Sequence, residues 1–335
     1  MPWPEVVLAF DEHEFLRARG LLARKVAYMG TRKFEEGDWS DVYAAARGLP
    51  NQGWSNLHLD VVSQGRGIEH KMRGTGEQRP RDLAGRTLIH PAATRSIRVP
   101  TPDTPAEEAK NDVLGQYADL IRERTERVAE TALDHTADVR TGWLLWKGDL
   151  SEFLYFEEEL LPPDPSLFTA KWNTRQGTGA RKSNENLWIF DKENASDGSP
   201  VKRYSVTGGD AGAKIQPYFR VPPLGTDGLY HFTPQGAEHP DGGGRILTWV
   251  QESTATQLLG LAGDLDGQGL DEFVDNYTDA LLTIDPDEYE PEARELSIGE
   301  AAYQHLRTAL PRNTDDERFR SLLRVALALQ DTDKT

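Results

Sequence analysis

Apolar positions recur at helical spacing early in the chain. Over residues 12–29, Phe15, Leu16, Leu22, Val26 and Met29 fall on roughly one face, which predicts an amphipathic helix. The stretch DWSDVYAAARGLP predicts a second, shorter helix with Asp38 as its N-cap. The period then drops to two. In LHLDVV, Leu57, Leu59 and Val61 alternate with His58 and Asp60; SQGRG supplies a turn, and IEHKM resumes the alternation, which predicts a β-hairpin. After a polar stretch and RTLIH, residues 100–105 read as a proline-bounded linker. A long amphipathic helix follows, with Val113, Leu114, Tyr117, Leu120 and Ile121 inward and a charged far face in solvent.

Beyond residue 140 the pattern becomes a series of short aromatic-rich runs, TGWLLW, EFLYFEEEL, LFTAKW, NLWIF, KRYSV and KIQPYFRV, separated by Gly, Asp and Pro, and these read as strands. The last seventy or so residues return to helical spacing in GLDEFVDNYTDALL, IGEAAYQHLRTAL and DERFRSLLRVALALQ. No internal repeat or low-complexity segment occurs. The expectation is an α+β protein in three regions: a core over residues 1–135, a β-rich region over 136–262 and an acidic helical region over 263–335.

Composition narrows the chemistry. The 335 residues contain no cysteine, which removes thiolate ligands and cysteine nucleophiles and leaves oxygen or imidazole donors for any metal, so Mg²⁺, with Mn²⁺ as a substitute, is the favoured cation. No apolar run approaches the ~18 residues of a membrane span, and the N-terminal stretch turns acidic too soon for a signal peptide, so a cytoplasmic protein without a membrane partner is expected. The net charge of −17 opposes a polyanionic partner as a total, but its distribution is uneven. Residues 264–335 carry 18 acidic against 7 basic side chains, whereas residues 63–98 carry 8 basic against 3 acidic. Arginine outnumbers lysine 27 to 11, which suits bidentate phosphate contacts and equally a compositional bias.

The candidate chemistry lies in the hairpin. Side chains two apart on a strand share a face, so Glu69 and Lys71 project together, and the hairpin brings Asp60 to that face from the adjoining strand. His70 and Met72 point the other way. Two converging carboxylates repel unless a cation sits between them, and a lysine beside a bound Mg²⁺ can orient its waters; these are the parts that phosphodiester hydrolysis needs. The competing reading is an exposed antiparallel pair whose outer face is simply charged.

The segment LHLDVVSQGRGIEHK resembles the active-site hairpin of the PD-(D/E)XK nuclease superfamily, the fold of many type II restriction endonucleases, with Asp60, Glu69 and Lys71 matching its pattern. The match covers about fifteen residues. Leu59 stands where the family's name-giving proline would be, a departure from the pattern. The resemblance implies an α/β restriction-endonuclease-like core with a central mixed sheet flanked by helices. It also implies metal ligation by Asp60, Glu69 and the backbone carbonyl of His70, and a lysine that positions the water. A further glutamate from the preceding helix would be Glu36, with Glu35 its near rival. The expectation is a Mg²⁺-dependent endonuclease of the restriction type acting on double-stranded DNA as a homodimer. A repair or junction-resolving nuclease, or a non-catalytic DNA-binding or defence accessory protein, are the alternatives.

Other features extend or compete with that reading. Arg66 and Arg73 flank the hairpin, and Lys171, Arg175, Arg181 and Lys182 border or occupy a polar loop between two expected strands; these six are the candidate DNA contacts. In DLDGQGLDEFVD, Asp264, Asp266 and Gly269 sit at offsets resembling a calcium loop, but Asp271 occupies an apolar position and Asp275 replaces the bidentate glutamate, so an acidic helix start is the better reading and a calcium-binding module the rival. His13, His58, His70, His90 and His135 show no paired metal-ligand spacing, and no nucleophile-elbow serine, Walker or dinucleotide glycine motif occurs.

Overall fold

A computed structural model describes residues 3–29, 32–49, 59–90, 97–175, 184–193, 198–207, 214–239, 242–278, 293–311 and 313–332. Side chains of 175, 184 and 329–332 lie outside that description, as do His58, Arg181 and Lys182 entirely. The architecture is mixed α and β, with seven helices among the described residues: α1 (Glu12–Ala27), α2 (Glu36–Ala46), α3 (Ala106–Ala129), α4 (Glu252–Ala262), α5 (Gln268–Thr278), α6 (Glu300–Ala309) and α7 (Asp315–Thr332). None is long and apolar enough to cross a membrane.

The first sheet is mixed. Strands β1 (Val6–Val7), β2 (Val61–Ser63), β3 (Arg66–Gly74), β5 (Asp138–Trp146) and β6 (Phe153–Glu159) run in the order β1-β6-β5-β3-β2, and β11 (Tyr230–Phe232) also pairs with β6. The expected hairpin is β2 and β3, closed by Gln64 and Gly65, both at positive φ as a two-residue hairpin turn requires. On its other edge β3 pairs in parallel with β5. A parallel pair needs a long crossover, and α3 lies within the connection. One face of the sheet carries Ile68, Leu144, Phe153 and Tyr155 against Leu22 and Val26 of α1 and Trp39 and Tyr43 of α2. Leu16, expected on the buried face of α1, is 53% exposed; Ala18 and Ala23 are buried with Leu22 instead, because a stripe at i, i+4 and i+5 suffices where the helix lies flat on the sheet.

A second sheet orders β4 (Thr87–Ile89), β10 (Lys214–Arg220), β9 (Lys202–Thr207), β8 (Asn184–Asp191) and β7 (Phe168–Arg175) as β4-β10-β9-β8-β7. Its inner face buries Phe168, Leu187, Ile189, Val206 and Ile215 under Val113 and Leu114 of α3. The two sheets touch where Trp143 of β5 stacks on Phe219 of β10, with centroids 4.0 Å apart and planes 11° apart. The C-terminal half of α3 reaches the first sheet, where Val128 packs on Leu59, Val62 and Val139. A third sheet, β12 (Ala237–Glu238), β13 (Arg245–Gln251) and β14 (Ala293–Gly299), is packed by α4 to α7.

Long-range pairing crosses both expected region boundaries. β5 and β6 extend the sheet that holds the hairpin beyond residue 135, and β13 pairs with β14 across residue 263. The strand β14 interrupts a region expected to be helical throughout; all seven of its residues pair with β13, and Leu296 and Ile298 are buried. The acidic stretch before α5 is a helix start and not a calcium loop: both oxygens of Asp264 accept backbone N–H groups, from Gly267, Gly269 and Leu270.

The hairpin turn yields a direct test. A Cβ on Gly65, at φ +80°, would lie 2.7 Å from the Thr136 carbonyl oxygen and 2.8 Å from Ala132 Cβ, whereas Gly85, at φ +76°, faces open space. Gly65→Ala is expected to lower the unfolding free energy by about 2–3 kcal/mol and Gly85→Ala by about 1 kcal/mol, read from urea denaturation. Equal losses would show that the close approach at Gly65 is not rigid.

Candidate functional site

Strand β3 sends its side chains alternately to two different environments. Ile68, His70 and Met72 go to the helical layer, and Glu69 and Lys71 go to the face toward α3 and the second sheet. β3 is flanked on both edges, so Glu69 is only 7% exposed, and the reading of a bland, solvated hairpin face does not hold. A carboxylate this buried requires compensation. Lys71 Nζ lies 2.5 Å from Glu69 Oε1, and Arg124 Nη1 of α3 lies 2.8 Å from Oε2. Burial pushes the Glu69 carboxyl up, but Lys71 and Arg124 outweigh it and hold it below the usual range.

Asp60 sits just before β2. Its N–H donates to the Ile68 carbonyl at 2.9 Å, and its Oδ2 accepts the His70 N–H at 2.6 Å, which pins the carboxyl beside the β3 backbone between Glu69 and Lys71. Glu36 meets it there through a carboxyl–carboxyl hydrogen bond. The second helix therefore begins at Glu36 and not beyond Gly37. Asp38, expected as the N-cap, lies inside the first turn, accepts the Glu35 N–H at 2.9 Å and pairs with Arg32 and Lys25. Between the two rivals, the fold brings Glu36 to the cluster. Desolvation and then the charge of Glu36 push Asp60 up to about 7, and Glu36 is itself raised, chiefly by desolvation. Two facing carboxyls of this kind hold one proton between them.

His70 serves the site from behind. Its ring is fully buried against Tyr43, Tyr155 and Trp39, and burial together with Lys71 depresses its pKa to about 3, so it stays neutral. Ser40 Oγ, 2.9 Å from Nδ1, already donates to the Glu36 carbonyl, so the consistent tautomer has Nδ1–H donating to Ser40. The His70 side chain is thus a brace for the first turn of α2 and is not available as a ligand. Only its backbone could serve, as the resemblance implies.

Among the described residues no group of three or more His, Asp or Glu side chains is arranged to hold a metal ion. The reason is visible at Glu69, whose two oxygens face Lys71 and Arg124. Of the expected ligands Asp60, Glu69 and His70, the structure leaves Asp60 with Glu36 as the open carboxyl pair. That pair fits a divalent cation: desolvation first, and neighbouring carboxylate charge second, disfavour its ionised form, and a cation would offset both.

The remaining candidates divide. Arg66 is engaged with Asp138 at 3.0 Å, and Arg73 donates to the Ile89 carbonyl at 2.6 Å, so both hold local structure. Lys171 stands exposed on β7, and Arg175 ends that strand. Arg181 and Lys182 lie outside the described residues. Arg124, which the sequence reading did not single out, is the buried partner of Glu69. The signal was present, since the inward series Val113, Tyr117, Ile121 continues at helical spacing to Arg124 and Val128. A cavity of about 360 Å³ between the two sheets has Glu69 and Lys71 in its wall, with Trp143, Glu158, Arg203 and Tyr218 around it.

The carboxyl pair predicts a pH dependence. Folded, Asp60 keeps its proton to about pH 7, whereas an unfolded aspartate loses it near pH 4. The unfolded state binds fewer protons across that window, so this group's contribution to stability falls as pH rises through it. Asp60→Asn, which cannot ionise, is expected to gain stability relative to the parent chain between about pH 4 and about pH 7 and to keep the gain above that, read from urea midpoints. A difference that does not change with pH would show that the pair is not proton-sharing.

No protein-family model, curated protein or solved structure matches the chain, so its function is read from the geometry of the site itself.

Proposed function

We propose that the chain is a Mg²⁺-dependent DNA endonuclease that hydrolyses phosphodiester bonds at Asp60, Glu69 and Lys71, with Glu36 as the fourth member. The observation that supports this most is the meeting of Glu36 and Asp60 in one hydrogen-bonded carboxyl pair at the end of the hairpin that also joins Lys71 Nζ to Glu69. A cation there would be held by Asp60 and Glu36. It would supply a Lewis acid for the phosphoryl oxygen and a bound water of lowered pKa. The chain's own groups do the rest. The Asp60 carboxyl is oriented by the His70 N–H, and Lys71, released from Glu69, can point its ammonium group at developing negative charge. Arg124 keeps Glu69 ionised and oriented while Lys71 moves.

Restriction-type cutting of both strands of a duplex needs two such centres, since one chain holds one cluster, and a symmetric homodimer is the simplest source of the second. A non-catalytic DNA-binding or defence accessory protein is the second reading. It is favoured by one observation, that Glu69 is closed by two cations and, among the described residues, no three acidic or histidine side chains are arranged to hold a metal ion.

Incubating the chain with supercoiled plasmid and phage DNA in Mg²⁺ decides between them. Cleavage is expected in Mg²⁺ and not in Ca²⁺, which is larger and activates water poorly. Asp60→Asn, Glu69→Gln and Lys71→Ala are each expected to lower the rate by about two orders of magnitude or more while the far-ultraviolet circular dichroism is unchanged. Wild-type rates in the triple variant would end the nuclease reading. Light scattering of the complex with duplex should show two chains per DNA; a 1:1 particle that still makes concerted double-strand breaks would reject the dimer.

A further inference from the structure

The outer face of the second sheet is set apart by its charge. In β7, β8, β9 and β10 the inward positions are the buried Phe168, Leu187, Ile189, Val206 and Ile215, and the outward positions alternate with them, except that a bulge in the β8–β9 ladder at Ile189/Phe190 shifts the register and brings Lys202 opposite Phe190 on the outward face. Those outward positions carry Lys171, Lys202, Lys214 and Arg220 and no aspartate or glutamate, in a chain with 55 acidic residues. The carboxylates of these strands, Glu185 and Asp191 of β8, fall in the inward series with Leu187 and Ile189, and Glu107 sits at the edge of β7, where it accepts the Ala170 N–H and pairs with Lys110.

Aromatic rings stand between the cations. The ammonium group of Lys202 lies 3.2 Å from the centroid of Trp188 and 5.6 Å from that of Tyr218, and Lys171 lies 5.2 Å from Phe190. The cross-strand pairs Lys171↔Trp188 and Phe190↔Lys202 fix this interleaving in the ladder. Neither lysine has a carboxylate partner among the described residues, so each has settled on a ring face.

We infer that this face is a platform for an unpaired nucleic-acid strand, on which Lys171 and Lys202 hold phosphates while bases stack on Trp188, Phe190 and Tyr218. A lysine that swings from a ring to a phosphate frees that ring for a base, and base–aromatic stacking with backbone neutralisation is how single strands are held without sequence preference. An acidic peptide would use the cations and leave the rings idle. Tyr218 belongs both to this face and to the wall of the cavity that contains Glu69 and Lys71, so a strand on the platform runs toward the candidate site. The inference deepens the nuclease reading and rests on it for that direction: the substrate reaching the site carries an unpaired segment.

The test is fluorescence anisotropy of a labelled oligo-dT of about 15 nucleotides with the full chain in EDTA, where cleavage plays no part. Binding is expected to be tighter than to a blunt duplex of the same length. Lys171→Glu with Lys202→Glu should weaken it by more than about tenfold and flatten the salt dependence, and Trp188→Ala alone should weaken it by about tenfold. Lys171→Ala with Lys202→Ala gives the same direction if the charge-reversed variant misfolds. Unchanged affinity in these variants, no binding of oligo-dT, or equal competition by polyglutamate would each overturn the platform. Because Asp60 and Lys71 are untouched, loss of cleavage in Asp60→Asn with dT binding intact separates failure of the platform from failure of the nuclease reading.

Discussion

Burying a carboxylate on an internal strand constrains everything around it. Glu69 is nearly enclosed because β3 is paired on both edges and roofed by α3, and an uncompensated charge there would cost several kcal/mol. Arg124 and Lys71 supply the compensation from two directions, one along the strand and one from the crossover helix. The position of α3 is thereby tied to the register of β3. Val128, one turn beyond Arg124, packs on Leu59 beside Asp60, so the same helix also supports the other carboxyl of the cluster. Removing Arg124 would leave Glu69 buried with a single cation.

The opposite face of β3 explains how Glu36 arrives. His70 is sealed among aromatic rings of the helical layer, and its one polar contact goes to Ser40, which in turn is bonded to the carbonyl of Glu36. A core residue thus fixes the first turn of α2, and the first turn carries the acid that meets Asp60. The result is a cluster of unlike halves: Glu69 is held ionised by two cations at its oxygens, while Asp60 and Glu36 are both raised, chiefly by desolvation, with Lys71 only partly offsetting it. The second half is where a cation would be stabilised most.

Charge is segregated at larger scale as well. The locally basic segment over residues 63–98 spends Arg66, Arg73 and Arg79 on intramolecular partners. The acid-free face lies on the second sheet, assembled from four strands none of which is strongly basic by itself. In the third region acidic side chains are equally structural: Asp315 and Asp316 are buried against Arg318, Arg320 and Thr254, and Asp264 caps α5. The net charge of −17 therefore says little about any one surface.

The hairpin, its turn and the shared side of Glu69 and Lys71 were determined by local sequence, because a period of two and a Gln-Gly turn act over a few residues. The six strand runs between β5 and β10 and the long helix α3 were legible for the same reason. What only tertiary structure decided was which of those elements meet. The parallel pairing of β3 with β5 carries the first sheet past residue 135, and β13 with β14 joins segments on either side of residue 263. The choice of Glu36 over Glu35 depends on where helix α2 begins, which the buried His70–Ser40 contact sets. Arg124 acts as the partner of Glu69 because α3 packs a charged residue inward, which helical spacing permits but only a buried opposite charge makes stable. Local patterns fix conformation along the chain; the charge state and company of a side chain depend on what burial places opposite it.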